Sequence, residues 1–200
     1  MWPCRSAVAG AILAPMRWLR RPFNDLLGRF GFGGRPVPRE PVSLRPIAVV
    51  RNNVVEPRPE GWEHVRSDLI FRDDLTSALD GIDAYSHVIV IFACHLAPEE
   101  ERGALHIHPG GDPRVPEQGV LATRSQLRPN AVGVTVASLL RRRRNILRVL
   151  GLDAIDGTPI LDIKPYVPYY DSVPNAQVPD WLGQPPPETT EDGSSSAHPE

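Results

Sequence analysis

The sequence predicts a mainly β domain of the α+β class, built as an open or closed β-barrel with short attached helices. Two observations favour this class. Apolar, β-branched runs recur at close spacing through the middle of the chain, and only one segment carries a clear helical pattern. Strands and helices do not alternate, and the chain contains no Gly-x-Gly-x-x-Gly motif. A Rossmann-type sheet is therefore not expected.

The predicted strands follow in chain order. They are PIAVVRNNV (46–54), RSDLIFR (66–72), YSHVIVIFAC (85–94), GVLATRS (119–125), VTVASLL (134–140), ILRVLGL (146–152) and PILDIKPYVP (159–168). The run at 85–94 is almost wholly apolar, which predicts burial on both faces. RRRRN at 141–145 is predicted to be a hairpin turn, and Pro165 is predicted to interrupt the last strand.

One helix is predicted at RDDLTSALDGI, residues 72–82. Asp73 or Asp74 is the expected N-cap, Leu75 and Leu79 share one face, and Gly81 is the expected stop. A second, short helix is predicted at PEEERGAL, residues 98–105.

Composition divides the 200 residues into three parts. Residues 46–182 are predicted to fold as one domain. Residues 1–45 form a basic, Pro/Gly-rich N-terminal extension with eight arginines, and residues 183–200 form an acidic tail; both are expected to be disordered. Between 46 and 170, fourteen basic residues face sixteen acidic ones, so any anion-binding site must be local.

Two cysteines, Cys4 and Cys94, do not make a disulfide framework, which favours a reducing cytoplasm. No apolar run approaches the ~20 residues of a membrane span. The first sixteen residues faintly resemble a signal peptide, but Pro15 and the following RWLRR argue against one. A basic arm or a wrongly assigned start codon explains this segment better.

Polar residues cluster in ATRSQLRPN. Arg124 and Arg128 offer planar donor forks for carboxylate or phosphate, Asn130 can brace a turn, and Gly133 permits a close approach of backbone or ligand. A solvated turn with Arg124 paired to an acid is the alternative.

Three aspartates, Asp153, Asp156 and Asp162, lie close together and precede Lys164. Their carboxylates can accept hydrogen bonds from ribose hydroxyls or from a ligand ammonium. The alternative is that Asp156 is a turn residue and Asp162 forms an ion pair with Lys164. The arginines at 141–144 are either a solvated tip or a contact for RNA phosphates.

His95, His106 and His108 lie close in sequence, but no third ligand follows at a persuasive spacing, so no metal site is expected. The chain also lacks a GxSxG nucleophile motif.

Several ordered segments resemble one family. GVLATRSQLRPNAVGVT and LDAIDGTPILDIKPYVPYYD resemble the two signatures of the TsaA-like proteins, also called the TrmO family. PIAVVRN, LDGIDAYSHVIVIF and HPGGDP resemble the family's first strand, its FSH segment and its HPRGDP loop. The resemblance spans residues 46–171. Leu121, Gln126 and Ala131 depart from the pattern, where the family has Phe, Pro and Pro.

The resemblance implies a β-barrel with flanking helices, a homodimer, and binding of S-adenosyl-L-methionine (SAM) without a Rossmann domain. It implies methylation of N6 of N6-threonylcarbamoyladenosine at position 37 of tRNA, with threonine tRNA as the expected partner in the cytoplasm and no membrane association. Two alternatives stay open: a SAM-dependent methyltransferase for another, small-molecule substrate, and a non-enzymatic SAM-binding module.

The family's motifs also imply site residues. The expected cofactor-binding residues are Pro57, Arg58, Pro59, His95, Leu96, Arg124, Val134, Asp153, Ala154, Ile155 and Asp156. Pro59 stands where the family has Gln. Because the sulfonium is already activated, catalysis requires mostly positioning and a weak base. The candidate bases are His95, Tyr166 and Asp162. The candidate RNA-binding residues are Arg128, Asn130, Arg141, Arg142, Arg143 and Arg144.

Overall fold

The computed structural model describes residues 40–182. The tail 183–200 and most of the extension 1–45, both expected to be disordered, lie outside these residues, as does Cys4. The compact unit that holds all strands of the described residues begins at Leu44. Within the described residues, no helix has the length and apolar character needed to cross a membrane.

The strands of the described residues are β1 Ala48–Arg51, β2 Arg66–Phe71, β3 His87–Ala93, β4 His106–Ile107, β5 Gln118–Gly119, β6 Val132–Arg143, β7 Ile146–Leu150 and β8 Pro159–Pro165. Six of them close into an antiparallel barrel in the order β1-β2-β7-β6-β3-β8, and β4 and β5 pair in a separate two-stranded sheet. This architecture confirms the predicted mainly β, non-Rossmann class.

Alternate residues of the strands fill the barrel, as the two-residue period of a strand requires. The buried core includes Val50, Leu69, Val88, Val90, Ala137, Leu147, Val149 and Ile160, together with Phe71, Phe92 and Leu152. β3 alternates between buried and half-buried residues. The prediction that both faces of this strand are buried is therefore wrong for the single chain, because a barrel strand has one inner and one outer face.

β6 is longer than predicted, and the arginine hairpin is tighter. Arg141, Arg142 and Arg143 lie within β6, so only Arg144 and Asn145 separate it from β7. Arg144 adopts a positive φ of 55°. The register shifts between Leu139 and Arg141, a bulge that changes which of the arginines points outward.

The helix predicted at 72–82 is a 3-10 helix, Asp73–Leu79. Its N-cap is Arg72, with no side-chain cap bond, so the prediction that Asp73 or Asp74 is the cap is wrong. The amide of Leu75 donates to Arg72 O and the Thr76 hydroxyl donates to Asp73 O. Local bonds of this kind favour a tight, short helix over an α-helix.

The remaining helical segments are short. Glu100–Gly103 supplies the second predicted helix as one 3-10 turn. Further 3-10 turns are Trp62–His64, Ile82–Ala84, Pro109–Gly111, Val120–Ala122 and Asp180–Leu182, and α1 is Pro168–Asp171. Gly81 lies at φ 87° between two of these turns, where a left-handed residue is required. β8 ends at Pro165, as predicted.

The strand predicted at 119–125 is not formed beyond Gly119. Side chains take the backbone bonds that a ladder would use. The Thr123 hydroxyl donates to Val120 O and accepts from the Ser125 amide, while the Ser125 hydroxyl accepts from the Leu127 amide. Ser and Thr compete with sheet formation in this way.

Candidate functional site

Most of the residues predicted to bind a cofactor meet at one end of the barrel, here called the site end. It is the end at which β1, β3 and β7 finish and β2, β6 and β8 begin, because all neighbouring strands are antiparallel. Ala93 pairs with Val132, and the Cys94 amide donates to Ala131 O over 2.8 Å. The turn Cys94–Leu96 and the loop 123–130 are thereby brought together.

Arg128 fastens the loop 123–130 to itself. Its Nε donates to Ser125 O over 2.9 Å and one Nη donates to Thr123 O over 2.5 Å, with the side chain half-buried. The structure thus gives Arg128 a bracing role within the loop, and its contact with RNA stays a prediction. Asn130 is exposed, and its carbonyl accepts from the Val132 amide over 2.7 Å.

Arg124, near the start of the same loop, is exposed, and one of its Nη atoms donates to Val134 O over 2.6 Å. This bond holds the guanidinium beside the start of β6. Val134 opposes Ile91 across the ladder and keeps 44% of its surface exposed. A charged fork and an apolar side chain therefore adjoin each other at the site end.

Asp153 completes this cluster from the segment that follows β7. Its side chain is exposed, and Oδ1 accepts a hydrogen bond from the Thr135 hydroxyl. Burial raises the pKa of the Cys94 thiol, and the negative charge of Asp153 raises it further, against the opposing charges of Arg102 and Arg128. Asp153, Cys94 and these arginines are thus electrostatic neighbours.

Asp156 has a different role from its neighbour. Its carboxylate accepts a hydrogen bond from the backbone amide of Asn52 over 3.1 Å and one from Arg51 Nη1 over 3.2 Å. It therefore holds the chain that leaves β1, which argues against the predicted contact with a ligand. Ala154 and Ile155 are buried, so their side chains belong to the core.

Asn52 is a residue that sequence reasoning missed. Its Nδ2 donates to Ala154 O over 2.8 Å and to Ser67 Oγ over 2.9 Å, and its Oδ1 accepts from the Val54 amide. It links the end of β1 to the segment that carries Asp153. The only signal was its place in PIAVVRN, since its partner Ala154 lies 102 residues away.

The loop Pro57–Pro59 is exposed and continues from the same end of β1. Arg58 lies over the indole of Trp62, 5.0 Å from the ring centroid, and donates to Gly61 O over 2.7 Å. The indole Nε1 of Trp62 donates a hydrogen bond to Arg58 O over 2.9 Å. An open cavity of about 660 Å³ adjoins this loop and is lined by Pro59, Glu60, Gly61, Trp62 and Glu63.

The three candidate bases are not brought together within the chain. His95 is exposed at the site end, and Asp162 lies opposite Ile91 and pairs with Lys164 over 2.7 Å. The Tyr166 amide donates to His87 O, at the start of β3. At ~3.3 Å per residue, the two ends of β3, His87 and Ala93, are about 20 Å apart, and His95 lies in the turn beyond Ala93. One chain therefore cannot join Tyr166 and His95 in one site.

The arginines 141–144 also separate. Arg141, Arg143 and Arg144 are exposed, but the side chain of Arg142 is only 17% exposed. Its guanidinium donates to Leu79 O, to Thr76 O and to Asp80, closing the barrel end next to the 3-10 helix. With its donors committed inside the protein, Arg142 does not present the phosphate contact that was predicted for it.

An antiparallel barrel with its charged loops gathered at one end belongs to the class of closed β-barrels that present a binding site beyond their strands. The chain belongs to the family of tRNA-methyltransferase O N-terminal domains, whose sequence profile matches residues 51–172.

Relatives and solved structures agree with this assignment. A probable S-adenosyl-L-methionine-binding protein of Methanothermobacter thermautotrophicus is 37% identical over 136 residues, which cover 66% of this chain and 95% of that protein. The tRNA (adenine(37)-N6)-methyltransferase of Escherichia coli is 38% identical over 105 residues, 50% of this chain and 43% of the enzyme. The crystal structure of TrmO from P. aeruginosa matches with a TM-score of 0.58 and 33% identity, over 74% of this chain and 64% of that one. The chain thus spans less than half of the Escherichia coli enzyme.

Proposed function

We propose that this chain is a SAM-dependent methyltransferase that acts on N6 of N6-threonylcarbamoyladenosine at position 37 of tRNA. Membership of a tRNA methyltransferase family supports the class of reaction. The single observation that carries the proposal is the convergence of Arg124, Asp153 and His95 at one barrel end, although they come from three separate segments.

The charges at the site end fit the parts of SAM. The exposed fork of Arg124 suits its carboxylate, and the exposed carboxylate of Asp153 suits its ammonium or its ribose hydroxyls. Leu96 and Val134 are exposed apolar residues at the same end and supply walls for the uncharged parts. The loop Pro57–Pro59 adds a further wall. SAM, when bound, supplies the activated methyl group.

The protein's share of the chemistry is positioning and one proton transfer. The N6–methyl bond forms as the sulfur–methyl bond breaks, and the N6 proton leaves to a base. His95 is the candidate base that lies at the site end of the chain. The ureido group makes the N6 proton more acidic than that of plain adenine, so an imidazole is a sufficient acceptor.

The assembly we propose is a homodimer. The outer faces of β3 and β6 present Ile89, Ile91, Val134 and Val136, of which Val136 is 48% exposed. Such an apolar strip beside the site end suits a second copy of the chain. The proposed partner is threonine tRNA. A cytoplasmic location is proposed because the chain has only two cysteines, which favours a reducing compartment.

Methyl transfer to purified threonine tRNA, with and without its threonylcarbamoyl group, tests the proposal. We expect nuclease digests to contain the methylated nucleoside only when the group is present. Arg124→Ala should weaken SAM binding, measured by calorimetry, by roughly tenfold to a hundredfold, because a hydrogen bond to a charged group contributes about 1.5–3 kcal/mol.

Arg114→Ala is the matched control, since Arg114 is an exposed arginine that pairs with Asp112 in a loop of its own. It should leave both readouts unchanged. Methylation of both tRNA forms would move the acceptor to plain adenine. SAM binding without any methylation of tRNA would contradict the proposed substrate but would agree with the proposed cofactor site.

A further inference from the structure

A row of arginines crosses the outer surface of the barrel on β2, β7 and the second half of β6. Arg141 of β6 opposes Arg148 of β7, which opposes Asp68 of β2. Arg143 lies two residues beyond Arg141 on β6, and Arg66 lies two residues before Asp68 on β2; both are exposed. Residues two apart on a strand share a face. We call Arg66, Arg141, Arg143 and Arg148 the arginine face.

A shallow cavity of about 120 Å³ lies in this face, lined by Asp68, Arg141, Arg143, Ile146 and Arg148. At its edge Arg148 grips Asp68 with two bonds, Nε to Oδ1 over 2.7 Å and Nη2 to Oδ2 over 2.6 Å. This pairing, with a further contribution from the charge of Arg141, holds the pKa of Asp68 below its usual value. Asp68 is therefore ionised at neutral pH and cancels one positive charge.

The face is strongly positive in a chain that is not. Four arginines against one aspartate leave a local charge of +3, whereas residues 46–170 carry fourteen basic and sixteen acidic side chains, a net charge of −2. A concentration of one sign on one side of a balanced domain raises the local density of oppositely charged ligands.

The dimensions of the face suit a chain of anions. Three strands at ~4.8 Å spacing make it about 10 Å wide, and Arg141 and Arg143 are about 7 Å apart along β6. Guanidinium forks spread over this area match successive phosphates, which are held chiefly by charge. Arg141 lies seven residues from Val134, about 23 Å along the strand.

We propose that the arginine face binds the phosphate backbone of the RNA substrate, at a distance from the site at which the methyl group is transferred. This inference rests on the proposed function for its partner, a tRNA. Asp68 then weakens RNA binding, because its negative charge repels the phosphates that the neighbouring arginines contact.

The test measures the affinity of the full chain for a threonine tRNA transcript across a series of salt concentrations. The double variant R141A/R143A should weaken binding roughly tenfold at low salt and lower the salt slope by about 2, one for each lost phosphate contact. The double variant R141K/R143K keeps both charges and should keep most of the slope.

Asp68→Asn makes the opposite change and should tighten binding severalfold, a gain that a misfolded protein cannot produce. Asp112→Asn is its matched control, since Asp112 is also held by Nε and Nη2 of one arginine, Arg114, and carries the same charge. It should leave the RNA affinity as it is.

Two further readouts separate this inference from the proposed function. SAM affinity by calorimetry, and kcat at saturating tRNA, should not change in R141A/R143A, while KM for tRNA should rise. Equal tRNA affinity and salt slope in the wild type, R141A/R143A and Asp68→Asn would overturn the inference, even if methylation proceeds. Altered tRNA binding without any methylation would overturn the proposed function alone.

Discussion

Residues of the same type have different roles at the site end, and the hydrogen bonds of each residue indicate its role. Asp153 is exposed and bonded to one hydroxyl, whereas Asp156 is committed to the Asn52 amide and Arg51. Arg124 contacts one carbonyl with an exposed side chain, whereas Arg128 braces its own loop. The first residue of each pair is exposed, whereas the second is half-buried and bonded within the protein, so the first two are the ones we assign to a ligand.

Cys94 reports on this cluster through its chemistry. Burial, and next the charge of Asp153, raise its thiol pKa, so at neutral pH it should react slowly with iodoacetamide. Asp153→Asn removes a neighbouring negative charge, lowers the thiol pKa and should speed alkylation at pH 7–8. The rate at Cys94 is followed by peptide mass spectrometry.

SAM added to the wild type should slow this reaction, because His95 and Leu96 follow Cys94 directly in the proposed binding site. If Cys94 is alkylated at the same rate with and without saturating SAM, the cofactor binds elsewhere. Gly119→Ala, a substitution into open space, serves as the control for a change that leaves the charges alone.

At the scale of elements, β3 and β6 form the pair that determines the site end. Their register sets Phe92 opposite Gly133 and Ala93 opposite Val132, which brings the turn after β3 against the loop before β6. The pair also contains a steric constraint. A Cβ on Gly133 would lie 2.3 Å from the ring of Phe92, which is itself buried in the core. Only glycine allows the ring to lie over this part of β6.

Gly133→Ala should therefore destabilise the domain by about 1–3 kcal/mol, because the aromatic ring or the strand must move. Urea unfolding followed by tryptophan fluorescence measures the free energy of unfolding. Gly119→Ala is the matched control: Gly119 has a φ of −58° and no atom within 4 Å of a built Cβ, so its substitution should be nearly neutral. Equal unfolding midpoints for the two variants would contradict this packing.

At the scale of the whole molecule, barrel closure separates three surfaces. The site end gathers the loops, the outer faces of β3 and β6 are apolar, and the outer faces of β2, β7 and the end of β6 are basic. We propose that these surfaces serve as a cofactor site, a surface for a second copy of the chain and an RNA contact, and that the first two adjoin each other at Val134.

The ion pair that ties β2 to β7 should make stability depend on acidity. Pairing with Arg148 lowers the folded-state pKa of Asp68 below its ordinary value of 3.8. Its contribution is therefore complete above that ordinary value and is lost as the pH falls through the lowered one. The wild type should be more stable than Arg148→Gln near pH 6, and the difference should shrink as the pH falls below 3.8.

Unfolding of both proteins in urea at a series of pH values, at constant ionic strength, checks this expectation. Arg114→Gln is the control, since its partner Asp112 lies in a loop and joins no strands. A stability difference between wild type and Arg148→Gln that stays constant from pH 6 to pH 2 would show that the pair acts through packing and not through charge.

The sequence by itself determined the class of the fold, most of its strands and the family. Period and spacing of apolar runs are local properties, and they located β1, β2, β3, β7 and β8 and the tight stop at Pro165. The motifs also named Arg124, Asp153 and His95, which the fold places at one end. The helix type at 73–79 and the missing strand at 119–125 were mispredicted, because hydroxyl side chains there take backbone bonds.

Only the tertiary structure decided which of the polar residues are accessible. Asp156 meets Asn52 across 104 residues, and Arg142 meets Thr76 across 66, so no local pattern reveals that these groups are engaged. Strand register, likewise, places Tyr166 at the far end of β3 from His95. Closure of the barrel fixes these long-range pairings, because it alone sets which strand ends meet.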